Sequence, residues 1–144
     1  MSGLVADWRV WAVASAVFAA ATALLAKVGV MGVNSSFATL VRTLVIVPVL
    51  AVVLLATRQM QNPASISGRT YLFLALSGLA TGASWLCYFR ALQVGPASRV
   101  APIDKLSVVL VAIAGVVLLG ERLTPGAWAG VALIAAGAVC VAVF

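Results

Sequence analysis

Apolar residues fill five long stretches of this chain, at about 8–27, 36–57, 70–90, 98–119 and 125–144. Each is close to the roughly 20 residues that a helix needs to cross about 30 Å of hydrocarbon. The stretches are continuously apolar and do not alternate at period two, which excludes a membrane β-barrel. The pattern predicts an all-α integral membrane protein: a compact bundle of five transmembrane helices forming a single domain over residues 1–144. The connections carry matching local chemistry. Asn34-Ser35-Ser36 and Ser65-Ile66-Ser67-Gly68 supply oxygens for the orphan amides at the heads of the second and third helices. Gly95-Pro96 interrupts the chain before the fourth. Gly120 is suited to close the fourth helix, and Thr124-Pro125 to open the fifth. Only residues 58–69 are long enough to be a real loop, and no internal repeat is visible.

Composition agrees with the pattern. Of 144 residues, 65% are hydrophobic and 8% charged, against about a quarter charged in an average soluble domain. Nine Lys and Arg against three Asp and Glu give a net charge of +6. These charges stand singly between apolar runs, with no basic stripe, so nucleic acid is not an expected partner; membrane lipid is. No histidine is present, and no nucleophile with a base or cofactor motif appears, so neither an enzyme nor a bound cofactor or metal is expected. Cys87 and Cys140 lie inside apolar stretches and read as small packing residues. Residues 10–26 resemble the apolar core of a signal peptide, but the segment before them is poorly basic and the run is long enough to span, so it reads as a mature helix.

Five crossings place the two ends of the chain on opposite sides, A for the start and B for the end. Arg9, Arg58, Arg69 and Arg122 fall on side A; Lys27, Arg42, Arg90, Arg99 and Lys105 fall at or just inside side B. Lys and Arg set orientation by their imbalance, and four against five sets none. An odd number of spans with balanced charge predicts a chain that inserts both ways and pairs as an antiparallel homodimer. Each copy would then be one inverted-repeat unit, with the substrate path at the repeat interface. Small residues suit such helix contacts: Ala12, Ala16, Ala19, Ala20 and Ala23 in the first helix, Gly78 and Gly82 in the third, and Gly126, Gly130 and Gly137 on one face of the fifth.

A charge near the bilayer centre costs about 2.5–3.5 kcal/mol on insertion scales unless it pairs, faces a cavity or reaches the interface. Arg42, Asp104 and Lys105 share a depth of about 9–11 Å below side B. Lys27 and Arg90 end the first and third helices on that side. Together with Arg99, five cations and one acid converge there. Asp104 is expected to pair with Arg42, Lys105 or Lys27, while Lys27, Arg90 and Arg99 are expected to reach lipid phosphates. A carboxylate among cations keeps its charge, so Asp104 carries a proton only after substrate or movement takes its partner away. Trp85 and Tyr88, near the end of the third helix, either line the same cavity or join the interfacial aromatic belt. Pro48 and Pro102 each free a backbone carbonyl within a span.

Two segments carry a family resemblance: WLCYFRALQVG at 85–95, an aromatic-Ala-Leu end of the third helix, and LLGERLT at 118–124, a turn before the last helix. With Ala26-Lys27 and Arg42, they make the chain resemble a single EamA domain of the drug/metabolite transporter superfamily over nearly its whole length. The resemblance implies half of a ten-helix transporter in the plasma (inner) membrane, completed by a second copy. It implies alternating-access transport of a small polar metabolite, anionic or zwitterionic given the cations at side B. Lys27, Arg42, Asp104, Lys105, Arg90, Trp85 and Tyr88 are the expected path or gate. The segment GPASRVAPIDK at 95–105 departs from the family's small, apolar pattern by carrying three charges. Three alternatives stand beside transport. One is a non-transporting subunit that stabilises a membrane partner; another is a passive channel. The third, multidrug efflux of the small four-helix type, ranks lower because the first helix has no acid.

Overall fold

The computed structural model describes residues 7–144. Among the described residues six α-helices form five crossings: α1 (Trp8–Gly29), α2 (Ser35–Ala56), α3 (Gly68–Val94), α4 (Ala97–Asp104) with α5 (Leu106–Leu119), and α6 (Pro125–Val143). A short 3₁₀ turn, Pro63–Ser65, lies in the one long loop. All five crossings are long and apolar enough to span a bilayer. Their large side chains face outward: Phe18, Leu79 and Leu118 are each more than 70% exposed. In water that surface would collapse; against lipid tails, as apolar as leucine, it costs nothing. The chain is a multi-pass membrane protein.

Helix ends follow the local chemistry. Asn34 Oδ1 accepts from the amides of Ser36 at 2.9 Å and Phe37 at 3.2 Å, capping α2. Thr124 Oγ1 accepts from Ala127 N, with Pro125 at the first position of α6. Gly120 closes α5 with φ of +70°, the left-handed conformation that glycine adopts without strain. Within the spans, Thr39, Thr43 and Thr81 return their hydroxyls to the carbonyl four residues back, so these three donors do not face hydrocarbon unpaired. Replacing Asn34 with alanine removes acceptors from two amides and is expected to lower stability by about 1 kcal/mol. Thermal unfolding in detergent measures this, with Asn34→Asp as the restoring control; an unchanged midpoint in Asn34→Ala would refute the cap's contribution.

The structure differs from expectation in two elements. The third helix is longer than 70–90 and keeps its pattern to Val94, because the Gly95-Pro96 break, not Arg90, ends it. The fourth crossing is not continuous. Pro102 lacks the amide its turn needs, and at Lys105 ψ is −8°, well off the helical value of about −42°. The hydrogen bonds tighten there toward three-residue steps: Lys105 N is shared between the Ala101 carbonyl at 3.3 Å and the Pro102 carbonyl at 3.1 Å, and Val108 N donates to the Lys105 carbonyl at 3.0 Å. Pro48 has no such effect, since α2 runs through it.

Two units share the chain: residues 26–93, and residues 94–144 with the start of the chain. In the first unit, the buried residues Val30, Ser35, Thr39, Phe89 and Leu92 gather at the end of α1, the start of α2 and the end of α3, all at side B. In the second, α4 and α5 pack on α6. Arg99 there donates to the Phe144 carbonyl at 3.1 Å, joining the head of α4 to the end of α6. Gly115 is buried because the Glu121 carboxylate folds over it, where a Cβ would stand 2.7 Å from Oε2. The Gly115 carbonyl also accepts from the amides of Gly120 and Glu121. The GERLT turn thus closes on its own helix.

Candidate functional site

The end of α3 organises the first unit. Its last carbonyls have no helical partner, and Lys27 Nζ donates to one of them, Leu92 O, at 2.7 Å. An ammonium at the negative end of a helix is favourable in charge as well as in hydrogen bonding. One residue on, Gln93 Nε2 donates to the Val33 carbonyl at 2.8 Å while its Oε1 accepts from Arg90 at 2.7 Å. These bonds tie α3 to the end of α1 and to the loop leading into α2. Lys27, Arg90 and Arg99, expected to reach lipid phosphates, each also have a protein acceptor: the Leu92 carbonyl, the Gln93 side chain and the Phe144 carbonyl.

Arg42 projects from α2 one turn beyond the buried Thr39. Its guanidinium carbon lies over the Trp85 ring at 4.4 Å and near the Phe89 ring at 5.4 Å. Trp85 and Phe89 are four residues apart on α3, so they share one face. Phe89 is only 3% exposed, which fixes the lower ring. The unit that holds Arg42, residues 26–93, contains no Asp or Glu. The rings hold the cation by their negative faces, and within this unit no acid consumes its in-plane N–H donors. Trp85 is thereby part of this arrangement; Tyr88, half-buried, is its neighbour on α3.

Asp104 lies in the other unit, and its ion pair is with Lys105, 3.5 Å away. Of the three partners expected for it, the structure shows this one. The pair stands where the fourth crossing breaks, at the end of α4 and the head of α5.

The expected packing glycines behave alike. A Cβ at Gly78, Gly82, Gly130 or Gly137 would meet no atom within 4 Å, and at Gly126 only Thr124 Oγ1 at 4.0 Å. Within its own unit none of these glycines is used for close approach. Phe89, Gln93 and Gly115 were not singled out by sequence. Phe89 had a signal, an aromatic four residues after Trp85, and Gln93 one turn beyond it; Gly115 had none.

Residues 7–143 match the EamA-like transporter family. The chain belongs to that family. A relative from Sinorhizobium sp., named an uncharacterized transporter in cobO 3'region, is 64% identical over 138 residues. The match covers 96% of this chain and 98% of that relative, so the relative too is one EamA domain in length. No solved structure matches the chain. Membership of the EamA-like family makes this a membrane transporter and gives the basic groups of its spans a context: cations kept inside a bilayer at an energetic cost usually serve a substrate path.

Proposed function

We propose that two copies of this chain, inserted in opposite orientations in the plasma (inner) membrane, form a transporter that moves a small anionic or zwitterionic metabolite by alternating access. The observation that carries the reading is Arg42, placed inside the second crossing, held by Trp85 and Phe89, in a unit that has no Asp or Glu of its own. A guanidinium so held offers a planar fork of donors suited to a carboxylate or phosphate oxygen pair. Binding such a group supplies the missing counter-charge. Lys27 and Arg90 support the arrangement by fixing the end of α3, on which both rings ride. The near-even division of Lys and Arg between the sides supports dual insertion, and the open faces at Gly78, Gly82, Gly130 and Gly137 leave room for a second copy.

The test uses purified full chain in lipid vesicles with three labelled probes: gluconate as an impermeant anion, alanine as a zwitterion, and choline as a cation. Saturable uptake of gluconate or alanine, with choline excluded, is the expected result. Preference for choline, or flux that never saturates, overturns it.

A further inference from the structure

Helix α2 ends in a way that its own sequence does not favour. The Gln59 amide donates to the Leu54 carbonyl at 3.1 Å and the Arg58 amide to the Leu55 carbonyl at 3.2 Å, the paired bonds of a left-handed helix closure. Glycine ordinarily fills the turning position, as Gly120 does at the end of α5. Here it is filled by Arg58, with φ of +53°, and among the described residues no other residue that bears a side chain has a positive φ. A side chain held against a backbone preference points to a use for that side chain. Arg58 follows the apolar run of α2 by two residues and lines a cleft of about 680 Å³ with Leu54, Gln59, Met60, Gln61 and Ile66. Small-ligand sites measure about 300–1,000 Å³. The lining is divided in chemistry: Leu54, Met60 and Ile66 are apolar, while Arg58, Gln59 and Gln61 bring N–H donors. The loop beside the cleft is tied down. Asn62 Oδ1 accepts from the Ala64 amide at 3.0 Å, and the Tyr71 hydroxyl donates to the Pro63 carbonyl at 2.9 Å, joining the loop to the head of α3. No Asp or Glu occurs in residues 26–93, so no acid of this unit neutralises the Arg58 guanidinium.

The geometry points to this cleft as a binding site for one phospholipid with a glycerol phosphate headgroup, its phosphate on Arg58 and the start of its acyl chains against Leu54. A guanidinium offers two parallel N–H groups to a pair of phosphate oxygens, and the amides of Gln59 and Gln61 suit the headgroup hydroxyls. The depth fits as well, since the headgroup region begins where an apolar crossing ends. A headgroup that also carries an ammonium fits less well, because this unit has no carboxylate to receive it. Such a lipid accounts for an arginine where glycine would close the helix without strain. Arg69, at the other foot of the loop, lies over the Phe73 ring at 5.8 Å and does not line the cleft. General attraction of a basic loop to anionic lipid would engage both arginines; a built site engages Arg58. Binding here needs neither transport nor a second copy.

Native mass spectrometry and thermal unfolding of the purified full chain in neutral detergent test this with three probes: phosphatidylglycerol, phosphatidylcholine and soluble glycerol phosphate. Phosphatidylglycerol is expected to stay bound at one lipid per chain and to raise the unfolding midpoint. Phosphatidylcholine is expected to bind roughly fivefold more weakly, and glycerol phosphate to leave the midpoint unchanged. Arg58→Gly is expected to lose both the retained lipid and its stabilisation. Without lipid the same variant is expected to unfold no lower than wild type, because glycine relieves the left-handed backbone. Arg69→Gln is expected to keep the lipid. Equal retention of the two lipids, or stabilisation by glycerol phosphate matching that by the lipid, overturns the assignment. Lipid retained by Arg58→Gly, or lost equally in Arg69→Gln, overturns it too. So does a lower lipid-free midpoint in Arg58→Gly, since Arg58 would then serve the fold.

Discussion

Arg42→Ala is expected to weaken gluconate binding roughly 30- to 3,000-fold while leaving the chain able to insert and assemble. Truncating one member of a desolvated charge pair costs about 2–5 kcal/mol, and each 1.4 kcal/mol is about tenfold. The loss falls on the complex, because within its own unit Arg42 makes cation–ring contacts and has no acid to pair with. Removing those contacts costs the free protein about 0.5–2 kcal/mol, which thermal unfolding in detergent reports separately. Arg42→Lys keeps the charge but not the planar fork, and is expected to recover only part of the binding. Trp85→Leu, which keeps Arg42 and removes its better platform, is expected to cost about fivefold. The measurement is KM and maximal rate for gluconate in vesicles, beside the elution position of each variant. Wild-type kinetics in Arg42→Ala would remove the guanidinium from the path.

The second large effect concerns orientation. With Cys87 and Cys140 replaced by serine, a cysteine at Gln61 or at Met31 reports opposite sides of the membrane, since both positions are exposed in loops at opposite ends of α2. About half of the molecules are expected to be labelled at each position from one side of intact cells, because four cations against five give the chain no preferred direction. Gln59→Lys with Gln61→Lys tips the count one way; Met31→Lys with Val33→Lys tips it the other way. Each biased form alone is expected to lose nearly all transport, and the two expressed together to regain it. An antiparallel site needs one copy of each orientation. Full activity of a biased form by itself would establish a parallel assembly or a working monomer, and a single dominant orientation in the parent chain would direct the search to a different partner.

The site was only partly legible before the structure. Depth along a helix follows from counting residues, so Arg42, Asp104 and Lys105 were recognisable as charges at a common depth. Asp104–Lys105 was among the pairings that counting allowed. Which groups meet Arg42 depends on the rotation of α2 against α3, and apolar runs with no amphipathic stripe leave rotation undetermined. Hence Trp85 was weighed between a cavity and the interfacial belt, and Phe89 was passed over. The protein acceptors of Lys27 and Arg99, the Leu92 and Phe144 carbonyls, were hidden for the same reason, lying 65 and 45 residues away along the chain.

The break at Lys105 shows the boundary from another side. Pro102 is visible in the sequence, yet so is Pro48, and only the crossing that contains Pro102 is divided. Proline removes the same amide in both places; what differs is how the neighbouring turns re-form, which is a property of the folded backbone.

By itself the sequence determined the solvent, the number of the crossings and their approximate places, the caps at Asn34, Gly120 and Thr124, and the family, because each is encoded in runs and short spacings. Only the tertiary structure decided that Arg42 rests on Trp85 and Phe89, that Lys27 closes the end of α3, that Gly115 makes room for Glu121, and that the fourth crossing parts beside Asp104. Except for the break, these depend on groups brought together by helix rotation and packing or by the closing of a turn; the break depends on how the backbone closes around a missing amide. No run of hydrophobicity records either.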